Sequence, residues 1–301
     1  MRRAPQLGLV IALAAIMVAL SVARPTFLTF ANLVNLVRQI SINGILAVGV
    51  TYVLLTGGVD LSLGSVVALS GVVAASFANA GAALTLGVAT GAACGVSNGS
   101  VVTRGRVAPF IVTLGTMTWA RGLALLISHG RPISNLGAAF TRIGGGDVAG
   151  VPVPILIFAA VAALSHVLLR NTRLGRRIYA VGGNENAARA SGVKVGVVKL
   201  AAYVICGALA GLAGVVLASR ITTGQPNAGI GYELDAIAAV VIGGTSLNGG
   251  VGGVFGAVLG ALLIGVINNG LDLLNVSSYY QQVIKGLIIV GAVWMDRSKD
   301  R

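Results

Sequence analysis

The chain has 301 residues, 56% of them hydrophobic and only 10% charged, with a mean hydropathy of +0.92. A soluble domain carries about a quarter charged residues, so this composition excludes a water-soluble globular protein and indicates a polytopic membrane protein. The net charge of +13 raises nucleic-acid binding, but aromatics make up 5% of the chain, too few for a base-stacking surface. Clustered positive loops are instead how membrane proteins set their orientation, so no nucleic-acid partner is expected and membrane lipid is.

The 44 glycines suit close helix packing in lipid. Cys94 and Cys206 lie in separate apolar runs and read as packing residues. His129 and His166 have no acids or thiols at ligand spacing, so no metal site and no cofactor is expected.

A crossing needs about 20 apolar residues. Ten runs approach that length: 7–23, 38–56, 61–79, 81–102, 109–128, 154–169, 200–219, 235–247, 251–270 and 278–295. The predicted fold is therefore all-α, one transmembrane helix bundle over residues 1–301 with about ten spans, one of them short or broken. The first run follows Met1-Arg2-Arg3 and ends in Ser21-Val22-Ala23, which has the form of a signal peptide; an uncleaved first helix is the preferred reading.

Between the first long runs, Gly57-Gly58-Val59-Asp60-Leu61-Ser62-Leu63-Gly64 offers a turn, with Ser62 as a helix cap. Asp60 is an acid at or near membrane depth, where ionisable groups are expensive and mark function, or else a helix-start carboxylate at the boundary. Arg121 in the fifth run poses a similar choice between a substrate path, an ion pair and snorkelling to the interface, and Lys285 repeats it in the tenth. Asn43, Asn98, Asn268 and Asn269 are neutral amides within apolar runs. They could line a path for a polyhydroxylated solute or hold helices together.

The eighth run is short: about 13 residues at 1.5 Å each give roughly 20 Å of helix, less than the hydrocarbon core. Gly243-Gly244 and Gly249-Gly250 end it, so a half-span is expected there. Gly252, Gly256 and Gly260 recur at four-residue spacing, as do Gly207 and Gly211, which predicts helix-contact faces. The Gly250–Gly253 cluster lacks the setting of a dinucleotide loop, and no GxxxxGK[ST] phosphate loop occurs.

Residues 170–199 form the long polar island, with Arg170, Arg173, Arg176, Arg177, Arg189, Lys194 and Lys199 against one acid, Glu185. An even number of spans with the amino end inside places this island, Arg2, Arg3, Arg104, Arg106, Arg297, Lys299 and Arg301 in the cytoplasm, and both termini with them. Within the island, Ala187 to Gly192 reads as a short glycine-ended helix with Asn184 as cap and Glu185 as first-turn acid.

Five stretches carry a family resemblance: GGVDLSLGSVVALSG (57–71), PFIVTLGTMTWARGLALL (109–126), YAVGGNENAARASGV (179–193), YELDAIAAVVIGGTSLNGGVGG (232–253) and NNGLDLLNVSSYYQQVIKG (268–286). With these the chain resembles, over nearly all its length, the membrane permease subunit of bacterial ABC importers of the ribose type. The resemblance implies a second permease copy as a homodimer, a cytoplasmic ATP-binding subunit and a periplasmic sugar-binding protein, in the bacterial inner membrane. It implies that Asn184, Glu185, Ala187, Ala188 and Gly192 form an ATPase-coupling loop, although Asn186 stands where the family pattern has glutamate. The implied activity is ATP-driven import of a monosaccharide, a pentose such as ribose, by a subunit that is not itself an enzyme. A permease for another small solute such as branched-chain amino acids and an ion-coupled secondary transporter are the alternatives. An intramembrane enzyme would need a nucleophile–base pair, and none emerges.

Overall fold

The computed structural model describes residues 4–134 and 136–297. Arg2, Arg3, Lys299 and Arg301, used above for orientation, lie outside them. The described residues hold thirteen α-helices and one two-residue hairpin, β1 (Asp147–Val148) with β2 (Val151–Pro152).

In chain order, α1 (Ala4–Ala23) leads through a 3-10 turn at Pro25–Leu28 into α2 (Phe30–Leu55). Then come α3 (Leu63–Ala75), α4 (Ala80–Thr103), α5 (Pro109–Ile127), α6 (Ala138–Gly145) and α7 (Val153–Asn171). The polar island folds as α8 (Arg173–Gly183) and α9 (Glu185–Ala190), and the chain ends with α10 (Val195–Arg220), α11 (Tyr232–Ile242), α12 (Val254–Leu273) and α13 (Ser278–Arg297). Side-chain oxygens at several helix starts accept the otherwise orphaned amides: Thr29 from Asn32, Asn79 from Ala82, Thr172 from Gly175.

Among the described residues, six helices are long and apolar enough to cross a membrane: α2, α4, α5, α7, α10 and α12. The other runs differ for physical reasons. Thirteen residues in α3 and eleven in α11 make only roughly 20 and 16 Å of helix. The apolar part of α1 is Leu7–Ala23. The first turns of α13 carry Gln281, Gln282 and Lys285. The run at 38–56 begins earlier than its hydropathy suggests, because the Thr29 cap starts α2 at Phe30.

The core is built around α2 and α10, which are buried on nearly every side over much of their length. The predicted contact face at Gly207 and Gly211 packs against α4, backbone to backbone: a Cβ on Gly207 would meet the Gly91 carbonyl, and one on Gly211 the Gly87 carbonyl. Gly260 similarly meets Ala239 of α11, and Gly256 meets Gly243 just past the end of α11. Gly252, read in the same series, lies in the loop before α12 instead.

Two ends of the bundle are distinguished by what gathers there. Gly196 at the start of α10 touches Thr103 at the end of α4, and the Gly250 amide donates to the Leu55 carbonyl at 3.0 Å, so these termini share the end that carries the polar island. At the far end, Gly144 of α6 lies against Arg220, and Gly224 lies against Ala75.

Candidate translocation and coupling sites

Asp60 is 1% exposed, in the non-helical segment between α2 and α3. One carboxylate oxygen accepts the Ser62 amide at 2.9 Å and the Ser62 hydroxyl at 2.6 Å. The other accepts the Asn98 amide at 3.5 Å, and Asn98 Nδ2 also donates to Ser62 Oγ at 3.1 Å. Thr116 Oγ1 completes the chain by donating to Asn98 Oδ1 at 2.5 Å. Four buried polar side chains from the turn, α4 and α5 thus satisfy one another, which the low dielectric of the interior requires. Ser62 occupies the cap position of α3 but its hydroxyl serves Asp60 rather than the helix, contrary to the capping expectation.

The depth of this network follows from helix rise. Asn98 is about 8 Å inside the α4 end at Thr103, and Thr116 about 10 Å inside the α5 start at Pro109. The segment 57–62 therefore turns back from the island end into the bundle before α3 starts. Tyr203 on α10 supports it by donating its hydroxyl to the Val59 carbonyl at 3.1 Å.

A second non-helical segment mirrors the first. Residues 221–231 leave α10 at the far end, pass Ala75 at Gly224, and reach the first turn of α3, where the Gly229 carbonyl abuts Gly64. Then α11 starts. Arg121 of α5 holds this segment, donating to the Pro226 carbonyl at 2.5 Å and the Ala228 carbonyl at 2.8 Å. So α3 and α11 are half-helices whose amino ends meet within the bundle. Glu233 lies in the first turn of α11 and its carboxylate oxygen Oε2 abuts Gly64 in the first turn of α3, placing a carboxylate between two positive helix ends. Asp235, one turn-face away, takes Lys285 of α13 at 2.9 Å.

The predicted site residues divide accordingly. Asp60 and Asn98 share one network, and Arg121 clamps the neighbouring segment. Asn269 pairs with Asn32 through two amide bonds of 2.9 and 3.1 Å, joining α12 to α2. Asn43 and Asn268 are buried on α2 and α12, elements that contribute no side chain to the Asp60 network described above. Sequence reasoning missed Thr116 and Glu233. An acid two residues before the short eighth run was the available signal for Glu233, whereas a lone threonine on an apolar helix gives none.

The coupling candidates form the expected helix. Asn184 Oδ1 accepts the Ala187 amide at 2.9 Å, Ala188 is buried, and Gly192 adopts φ +80° where α9 ends. Glu185 is held by Arg189 at 2.8 Å and by Lys199 at 2.6 Å. The Lys199 hydrogen bond is the main reason its carboxyl sits below the ordinary carboxylate range. Its charge is therefore used to strap α9 to α10.

A family profile described as "Branched-chain amino acid transport system / permease component" matches residues 32–293. The ribose import permease protein of Bacillus subtilis (strain 168) is 48% identical over 98% of this chain and 92% of its own. That of Escherichia coli (strain K12) is 47% identical over 96% of this chain and 92% of its own. That of Haemophilus influenzae is 46% identical over 95% and 91%. No solved structure matches the chain.

Proposed function

Because the chain belongs to the permease family matched over residues 32–293, we propose that it is the membrane permease subunit of an ATP-binding-cassette importer for a monosaccharide, ribose before others. The single observation that carries the choice of cargo is near-full-length identity of 46 to 48% to ribose import permeases. The family description names branched-chain amino acids, but none of the three relatives does. The chain is a transport subunit rather than an enzyme, and its importer works with separate ATP-binding and substrate-binding partners.

The protein sits in the bacterial inner membrane as one permease domain, pairs with a second copy, and has both termini and the polar island in the cytoplasm. It crosses ten times: α1, α2, α4, α5, α7, α10, α12 and α13 as single helices, α3 completed by 57–62, and α11 completed by 221–231. Non-helical backbone at membrane depth survives only where protein or a water-filled cavity surrounds it. Both segments therefore belong beside the sugar's path, with Asp60, Asn98, Arg121 and Glu233. Asn43 and Asn268 are secondary candidates for the same path, while Asn269 serves as helix glue. The loop containing Asn184, Glu185, Ala187, Ala188 and Gly192 is the docking site of the ATPase. ATP binding shifts the partner's preference between two permease states, which is how contacts at α9 change access at the path.

Reconstitution tests this directly. Permease, ATPase and binding protein in proteoliposomes should accumulate labelled ribose with ATP and not without it. Uptake driven equally by an ion gradient, or displaced by leucine rather than by ribose, would overturn the reading.

A further inference from the structure

The polar island touches the bundle through a contact unlike the rest of its surface. The last turns of α8 meet the loop 243–253, which joins half-helix α11 to α12. The Tyr179 hydroxyl donates to the Gly252 carbonyl at 2.9 Å. A Cβ on Gly182 would collide with both the Leu55 carbonyl and the Gly250 amide, and Gly249 abuts Gly182 and Gly57 in turn. The loop itself runs through Gly244, Gly249, Gly250 and Gly252, all at positive φ. Backbone thus lies on backbone at this junction, with no flexible side chain between to absorb a displacement.

What the loop carries onward is specific. Through α11 it leads to Glu233, whose carboxylate abuts Gly64 of α3, and to the 226–228 carbonyls in the grip of Arg121. One continuous contact chain therefore links the island to the place where the two half-helices meet. The other island contacts, Glu185 with Lys199 and Gly182 with the Leu55 carbonyl, lead into α10 and α2, the two helices at the centre of the core.

We infer that Tyr179 and Gly182 are positioning residues that pass movement of the α8–α9 segment to half-helix α11, making α11 the mobile wall of the path. This rests on the reading of α9 as the ATPase dock. Coupling of this kind needs an element with two arrangements that both sites bias, and a short helix flanked by glycine-rich and non-helical backbone is able to shift as a unit. Tyr179→Phe removes the hydroxyl bond without changing shape. The two permease states would then be biased less strongly by the ATPase.

The test uses the complete importer in proteoliposomes, comparing ribose taken up per ATP hydrolysed. For Tyr179→Phe the ATPase should still co-purify and binding protein should still stimulate hydrolysis, while uptake per ATP falls roughly fivefold, the size of one net hydrogen bond. Gly182→Ala should do the same or more, and Tyr280→Phe, at an exposed tyrosine, should match the wild type. Unchanged uptake per ATP in Tyr179→Phe and Tyr179→Ala overturns the inference, as does loss of ATPase co-purification with uptake per bound ATPase unchanged. A wild-type importer that fails to accumulate ribose with ATP instead overturns the functional reading beneath it.

Discussion

The Arg121 guanidinium reaches across from α5 to hold the Ala228 carbonyl at 2.8 Å, beside its bond to Pro226. That pair fixes residues 221–231 inside the bundle, and its loss should be felt there first. Both bonds come from one guanidinium nitrogen, Nη1, and the compact, strongly hydrated ammonium of lysine on its flexible stem does not reproduce a donor held in a rigid planar group. Arg121→Lys should raise amide exchange across 225–231 and lower uptake. Charged hydrogen bonds of this kind are worth about 1.5–3 kcal/mol, so Arg121→Ala should open the segment by at least tenfold in exchange protection. Unaltered exchange in Arg121→Ala would show that the segment is held by other contacts.

Asp60→Ala should be among the most damaging single changes. It leaves the Ser62 hydroxyl and the Ser62 backbone amide without their acceptor in a buried position, at a cost of about 3 kcal/mol. Asp60→Asn keeps an acceptor and the volume, and should cost less. Thermal unfolding of detergent-purified protein distinguishes the two, and equal midpoints would count against the network as a stability element.

The Lys285–Asp235 pair predicts a non-additive cycle. Asp235 is nearly buried, so Lys285→Met should leave its charge uncompensated. Combining Lys285→Met with Asp235→Asn removes both charges and should recover part of the loss. Additive shifts in unfolding midpoint would mean that the two residues do not interact.

Glu185 gives a pH prediction. Its folded value is depressed below the ordinary carboxyl value of 4.5. Its stabilising effect is therefore fully present above that value and lost as pH falls through the lower folded one. Since the carboxylate is 40% exposed, the ion pairs are worth less than about 1 kcal/mol and weaken with salt. Amide exchange of α9 should be flat in stability from pH 7 to about 5 and loosen only below the unfolded value. Glu185→Gln should abolish that dependence.

Glycine contacts separate by site. Gly91→Val places a branched side chain against the backbone of Gly207 and Gly211, so membrane-inserted protein should fail to give a monodisperse species. Gly8→Ala, with nothing within 4 Å, should be silent or slightly stabilising in α1.

Much of this protein was legible in its residues because the bilayer permits so few solutions. Composition determined that the chain is helical and membrane-embedded, four-residue glycine spacing marked contact faces on α10 and α12 without naming the helices they meet, and the Asn184–Gly192 pattern specified a capped helix. The shortness of the eighth run announced α11. Those features depend on neighbours in sequence. The gathering of Asp60, Ser62, Asn98 and Thr116 does not, because it joins a turn to two helices. Nor does the meeting of Glu233 with Gly64, or the division of the six path candidates, with Asp60 and Asn98 in one buried network, Arg121 on the 226–228 carbonyls, and Asn43, Asn268 and Asn269 on α2 and α12. Hydropathy records how much a segment avoids water, and is blind to which partner satisfies a buried polar group. That choice was made only when the turn before α3 was packed against α4 and α5, and the start of α11 against the start of α3.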